Sequence, residues 1–344
     1  MCTGKKAEGF EIGPFVLLVT LLVLLSFSQT SVAATGEELI EGAKREGEVV
    51  LYASMNIEEA NTTVAKFEEK YPFLKVRLAR TGSEKLLNRV LTEARAKKYF
   101  ADVIQTVEFS MYTLRTKGVL SRYLSPEDRF YPREFKEEGY WTTVYYNPYV
   151  VAYNTKMVPR EGLPKSYEDL LGPVWKGKMM MEGTKVDWFG GMLQIMGREK
   201  GLRYMGELAK QNIMLRIGHN LIAQLVAAGE ALLDINIPAS SVDRLKETGA
   251  PIEWTSIGPA PAIMVGIGVA AQPPHPHAAK LYVDFALSRG GQRLMRGFGR
   301  LVARSDFARE QAAVIQGVKM VPVNPALAEK MDEYAKQLRE IFAK

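Results

Sequence analysis

Two short, wholly apolar runs far apart in the chain constrain its fold more than any other feature. They are Tyr149–Tyr153 (YVVAY) and Ile263–Ala271 (IMVGIGVAA). Each reads as a strand buried on both faces. One small domain's length lies between them, and a second such unit lies outside them. We read the two as paired crossover strands, along which the chain leaves one α/β lobe and later returns to it. A hinged pair of lobes usually holds its ligand in the cleft between them.

The length of 344 residues allows two domains, each with its own core. The first 34 residues are set apart from both. Lys5 and Lys6 precede a 13-residue apolar core, Phe15–Phe27, and SQTSVAA follows with Val32 and Ala34 in the small-residue pattern of a cleavage site. The core is too short to span a bilayer comfortably, so it reads as an export signal cleaved near Ala34. Removal takes away Cys2, the only cysteine, which suits an oxidising compartment and excludes thiolate chemistry. It also removes two lysines and two glutamates, so the net charge stays at +6. Basic residues are scattered without long runs, and no nucleic-acid partner is expected.

From Glu37 the pattern alternates helix and strand. A helix over EELIEGAKREG precedes strand Glu48–Ala53, then helix Ile57–Tyr71, strand Leu74–Ala79, helix Ser83–Lys97 and strand Ala101–Thr106. Such alternation predicts a doubly wound, mainly parallel sheet, which binds ligands at the carboxyl ends of its strands. Those ends carry Asn56, then Thr81 to Ser83, then Glu108. Ser83 is placed to cap the helix after it. Ser125 and Ser166 open capping-box helix starts. The aromatic stretch YWTTVYYNPY puts Tyr145 and Asn147 on one strand face, fit to line a ligand, stack on a cation or pack in the core.

The second lobe repeats the logic. Strand Lys178–Met181 leads to a polar loop with Thr184 and Asp187, and His219-Asn220 precedes the apolar helix Leu221–Ala228. Strand Leu232–Ile237 ends in Pro238-Ala239-Ser240-Ser241. The candidate cleft set is therefore Asn56, Ser83, Glu108, Tyr145, Thr184, Asp187, Asn220 and Ser240. There is no GxSxG, HExxH, SxxK or phosphate loop, and no nucleophile–base set. His275 and His277 flank Pro276 in a turn read as solvated rather than as a metal pair. Gly266–Ala271 matches GxGxxA, but it is strand-like where the dinucleotide motif needs a turn, so its small residues are read as allowing close backbone approach.

Four stretches carry a family likeness: EVVLYASMN, VVAYNTKMVP, SYEDLLGPVWKGKM and HPHAAKLYVDFALSRGGQRLM. With them the chain resembles the family-one extracellular solute-binding proteins, the periplasmic component of bacterial ABC importers, and most nearly the ferric-iron-binding branch. The resemblance covers nearly the whole mature chain. It implies two α/β lobes of the type II periplasmic-binding-protein fold, joined by two crossover hinge strands. The lobes are expected at 35–148 with 266–325 and at 149–265, followed by a C-terminal helix over 326–344. It implies hinge closure on a small solute, recognition by an inner-membrane permease, a monomer in the periplasm, no catalysis and no resident cofactor or metal.

The ferric members hold iron through a group after the first strand, a Glu after the third and a Tyr-Tyr pair in the second lobe. By position these fall on Asn56, on or beside Glu108, and on Ala239-Ser240. Hard Fe³⁺ wants anionic oxygen ligands, which Ala and Ser cannot supply. An organic or oxyanionic solute is therefore the leading expectation. Iron held by Glu108 with Tyr145 or Tyr146 is the alternative, and an exported enzyme on the same scaffold a remote one.

Overall fold

The computed structural model describes residues 1, 3–4, 36–312 and 317–342. Apart from residues 1, 3 and 4, the expected signal segment, with Cys2, lies outside the described residues. In the first half α1 (Gly36–Glu46), β1 (Glu48–Ala53), α2 (Ile57–Lys70), β2 (Lys75–Arg80), α3 (Ser83–Arg95), β3 (Val103–Val107) and α4 (Glu108–Thr116) alternate as the pattern predicts. Helix α2 buries Ala60 and Phe67 at helical spacing and ends at Lys70, with Tyr71 as its C-cap just ahead of Pro72.

Two capping expectations are corrected. Gly82, not Ser83, is the N-cap of α3, and Ser83 is its first helical residue. Ser125 and Ser166 do accept the amides of Glu127 and Asp169, each at 3.2 Å. Each starts a single 3₁₀ turn, Pro126–Phe130 and Glu168–Leu171, because Pro132 and Pro173 follow too soon for an α-helix to extend.

The expected strand at Tyr149–Tyr153 is the last part of a longer one. β4 (Lys136–Glu137) is followed by β5 (Trp141–Asn154), β6 (Met179–Glu182), α5 (Val186–Met196), α6 (Arg198–Ala209) and β7 (Met214–Arg216). Next come α7 (His219–Ala228), β8 (Leu233–Pro238), α8 (Ala239–Glu247), β9 (Ile252–Thr255) and β10 (Ala260–Val269). The chain ends with α9 (Pro276–Leu287), α10 (Arg289–Gly297), α11 (Ala308–Ala312), β11 (Met320–Pro322) and α12 (Met331–Phe342).

The strands run in the order β2-β1-β3-β10-β5-β8-β6-β7. β2, β1 and β3 are parallel, as are β8, β6 and β7, and each trio meets one antiparallel strand of the central pair β10–β5. That pair is the two-strand crossover. β5 spans both halves, pairing with β10 from Thr142 to Pro148 and with β8 from Tyr149 to Tyr153. The close approach read from the small residues of β10 is real. A Cβ on Gly268 would run into the Tyr140 carbonyl oxygen, and one on Gly266 into the Trp141 indole.

One apolar core, with Leu51, Phe67, Ile104 and Tyr282, fills the first half. The strands β8, β6 and β7 are covered on one face by α5, α6 and α12 around Phe189 and Leu208, and on the other by α7 and α8 around Ile222 and Val242. The PPHPH turn is pinned rather than solvated. His275 Nδ1 lies 2.8 Å from Asp102 Oδ2 and His277 Nδ1 lies 2.6 Å from Glu46 Oε1, so the two rings serve separate carboxylates. Among the described residues no helix is long and apolar enough to cross a membrane.

Candidate functional site

Parallel strands leave their carboxyl ends on one edge, and the helices that follow begin there. Ser54, Thr81 and Glu108 follow β1, β2 and β3, while Thr184, Gly218 and Ala239 follow β6, β7 and β8. Between them β5 presents Tyr145, Asn147 and Tyr149 on one face. Tyr145 and Tyr149 are four residues apart, about 13 Å at strand rise. The polar groups near them form two poles.

The pole at Tyr145 is built from arginines. The Arg300 guanidinium lies 4.8 Å from the Tyr145 ring centroid and binds Glu59 through Nε–Oε2 at 3.0 Å and Nη2–Oε1 at 2.9 Å. Its Nη1 donates to Ser240 Oγ at 2.8 Å. The Asn147 carboxamide completes this corner, with its oxygen accepting from Arg300 Nη1 and its nitrogen donating to Ser240 Oγ, each at 3.2 Å. Burial pushes the Tyr145 phenol up to about 12, Arg300 pulls it down, Glu59 raises it, and Arg244 and Arg80 lower it. All three arginines therefore act on the same hydroxyl. Arg80 Nε donates to the Met55 carbonyl at 2.8 Å. Arg244 is half-buried and, among the described residues, has no hydrogen bond or ion pair.

A cavity of about 350 Å³ opens beside this pole, lined by Asn56, Ser240 and Arg244, with the exposed Glu58 and Glu247 among its walls. Arg244 also lines a smaller cavity of about 200 Å³ with Asn220. Arg300 and Glu59 neutralise one another, which leaves Arg80 and Arg244 as the remaining cations acting on Tyr145, while Glu58, Asp243 and Glu247 put three carboxylates on the cavity wall beside Arg244.

The pole at Tyr149 is built from acids and a histidine. The Tyr149 hydroxyl donates to Asp187 Oδ2 at 3.0 Å, and its ring centroid lies 6.0 Å from that of His219. Glu108 is fully buried. Its Oε2 accepts the Met264 amide at 3.0 Å, while Oε1 has no partner. Burial, then the Asp187 charge, holds the Glu108 carboxyl well above the usual range, although its own amide and that of Met264 pull it down. His219 is pushed down to about 3 by burial and by Lys185, and neither ring nitrogen has a partner.

Glu182 organises the loops around this pole. Its Oε1 accepts from Thr184 N and Oγ1 at 3.1 and 2.8 Å, and its Oε2 accepts from Gly218 N at 2.9 Å. Gly218 has φ of 102°, a conformation that favours glycine there. Beneath lies Asn236, which accepts from Glu182 N at 2.8 Å and donates to its carbonyl at 3.1 Å. A cavity of about 430 Å³ adjoins, lined by Ser83, Thr184, Lys185, Asp187 and apolar side chains including Leu87 and Phe109.

The eight expected residues are thus sorted rather than gathered. Ser83, Thr184 and Asp187 line the larger cavity with Glu108 nearby in the core. Asn56 and Ser240 line the cavity at the arginine pole with Tyr145 behind them, and Asn220 stands apart on α7. Asn56 already has work, because its Oδ1 caps α2 by accepting from Glu58 N at 2.9 Å and Glu59 N at 3.2 Å. Tyr145 and Tyr146 face opposite sides of β5, and Tyr146 stacks on Phe135 with centroids 5.2 Å apart. Among the described residues no group of three His, Cys, Asp or Glu could hold a metal ion.

The residue-by-residue reading missed Arg80, Arg244 and Arg300 altogether. Arg244 lies four positions after Ser240, one helical turn on, and Arg80 ends β2, so both had a positional signal. Arg300 had none.

Known proteins share this architecture. Residues 98–334 match the family described as bacterial extracellular solute-binding protein. A probable ABC transporter periplasmic-binding protein, y4fP of Sinorhizobium fredii, is 23% identical over 284 residues, 76% of this chain and 78% of its own. The Fe(3+)-binding periplasmic protein of Serratia marcescens is 23% identical over 298 residues, 83% of each. The solved periplasmic binding protein AfuA from Actinobacillus pleuropneumoniae, with exogenous fructose-6-phosphate bound, superposes with a TM-score of 0.71 at 22% identity, covering 86% of this chain and 97% of AfuA.

Proposed function

Because this chain belongs to the bacterial extracellular solute-binding proteins, we propose that it serves an ABC importer as a periplasmic receptor for an oxyanionic solute, held by Arg80 and Arg244 beside Tyr145. The observation that carries the reading is Arg244, a half-buried guanidinium without a partner on the wall of two cavities. A guanidinium cannot give up its charge, and its planar fork suits phosphate and carboxylate oxygens. The relatives' cargoes point two ways, one to ferric ion and one to a sugar phosphate. At this site ferric ion is disfavoured physically. Arg300 already covers the Tyr145 ring, and burial opposes formation of the phenolate that iron needs.

The wider reading follows from this. The segment up to about Ala34 is removed on export, and the lobes hinge where β5 and β10 cross, near residues 149 and 265. Of the eight cleft residues, all but Asn56, which caps α2, and Asn220, which stands apart on α7, line the solute together with Arg80 and Arg244, and the closed monomer is presented to the permease. In this reading the receptor releases the solute unchanged, as the binding proteins of the family do.

A thermal-shift series on residues 35–344 tests the reading, because a ligand of the folded cleft raises the midpoint by mass action. Phosphate, phosphonates, sugar phosphates and carboxylates should supply the positive hits, and Arg244→Ala should lose them. Shifts confined to polyamines, neutral sugars or ferric citrate would overturn it.

A further inference from the structure

The oxyanion reading leaves the polar atoms at the far end of the Tyr145–Tyr149 face unexplained. Glu108 Oε1, His219 Nδ1 and His219 Nε2 are buried and unpartnered. Buried polar atoms are rarely left so, and each such group calls for an explanation. These three come from different elements, Glu108 from the start of α4 and His219 from the start of α7, and they flank Tyr149 from the two halves of the molecule.

Their chemistry narrows what they can bind. A neutral imidazole offers one donor and one acceptor, and a protonated carboxyl offers one O–H donor. Burial keeps His219 neutral and favours the protonated form of Glu108. A phosphate or carboxylate here would face the carboxylates of Asp187 and Glu182, both of which act on Tyr149. An ammonium would face Lys185, which acts on His219. A hydroxyl donates and accepts without charge, and so fits all three atoms.

We propose, resting on the oxyanion reading, that Glu108 and His219 seat hydroxyls of the same solute, so that the cargo is a polyhydroxylated organic anion rather than a bare oxyanion. Its charged group meets Arg80 and Arg244, and its hydroxyl end reaches toward the Tyr149 pole, four residues along the same face of β5. Lobe opening is needed to admit it, because the three atoms are buried.

Calorimetric titration with three probes of shared charge tests this: a hexose 6-phosphate, hexyl phosphate and inorganic phosphate. The hexose phosphate should bind at least about tenfold tighter than hexyl phosphate, since a site built for hydroxyls rejects the analogue lacking them. In His219→Phe that ratio should fall to about twofold or less, and His219→Gln, which keeps a donor and an acceptor, should restore much of it. Equal binding of the two organic phosphates by the unmodified protein overturns the proposal and leaves the oxyanion reading standing. An unchanged ratio in a folded His219→Phe overturns it too. Should that variant fail to fold, the ratio in the unmodified protein decides alone. If none of the three probes binds, this proposal fails, and the thermal-shift series with phosphonates and carboxylates decides the oxyanion reading separately.

Discussion

The two poles of the β5 face are equally buried in places but handle charge in opposite ways. At Tyr145 the charge persists. Arg300 is 8% exposed and stays ionised because Glu59 answers it with two hydrogen bonds. At Tyr149 burial favours the uncharged forms. Glu108 Oε1 and both ring nitrogens of His219 have no hydrogen-bond partner, so burial favours the protonated carboxyl and the neutral imidazole. Burial alone does not decide whether a group is charged; the partner does. The contrast fits a receptor that grips a solute's charge at one end and reads its neutral groups at the other.

The heaviest blow to this contrast is removal of Arg300. Arg300→Met strands Glu59 as a buried charge and should cost about 3–5 kcal/mol in urea unfolding. The double variant with Glu59→Leu should recover most of that, and failure to recover would mean that Arg300 does more than neutralise Glu59.

The poles also separate by pH, with Asp234 as the handle beneath the acidic one. Burial raises its carboxyl from 3.8 to about 8, with Oδ2 unpartnered. Across that window the folded chain holds a proton that the unfolded chain has released, so Asp234 makes stability fall as pH rises. The slope is up to roughly 1.4 kcal/mol per pH unit while the two states differ by a full proton. Glu108 acts in the same sense. His219, lowered from 6.5 to about 3, acts the other way, adding stability as pH climbs through that lower window. Asp234→Asn should flatten the fall between pH 5 and 8 in urea midpoints, and an unaltered slope would assign it to other groups. Guanidiniums do not titrate there, so the double variant Arg300→Met with Glu59→Leu, which leaves no buried carboxylate behind, should leave the slope alone.

Arg244→Ala should weaken binding of an anionic solute about tenfold to a hundredfold, the worth of a charge-assisted hydrogen bond, with little change in unfolding. Calorimetry and urea melts together check both halves of that statement. The smallest effect belongs to Asn56→Ala. Its side chain caps α2, so the change should cost about 1 kcal/mol of stability while affinity stays within about twofold. A large affinity loss with unchanged stability would instead make Asn56 a solute contact.

Much of the fold was legible because local physics wrote it. The strands at Glu48–Ala53 and Tyr149–Tyr153, the helix stopped before Pro72 and the glycines of β10 follow from periodicity, proline geometry and the room a backbone needs. Capping signatures were legible but not decisive. The serine at 125 caps what it was expected to cap, yet Pro132 leaves room for only one turn. Ser83 shows the reverse, a good capping residue one position too late.

The site was half legible. Strand ends can be counted along a sequence, and that placed Ser83, Thr184, Asp187 and Ser240 on cavity walls. Arg300 sits 60 positions from Ser240, whose hydroxyl it holds, and 241 from Glu59, which neutralises it. Only the folded chain brings them together.

By itself, then, the sequence determined the α/β architecture, the two crossover strands and the edge on which the strands' carboxyl ends gather. These depend on periods of two and 3.6 residues and on glycine and proline, all properties of near neighbours in the chain. The tertiary structure alone decided which polar groups keep their charge. Desolvation and partnering are set by what packs against a side chain, and for Arg300, Glu108 and His219 those neighbours lie far away in sequence.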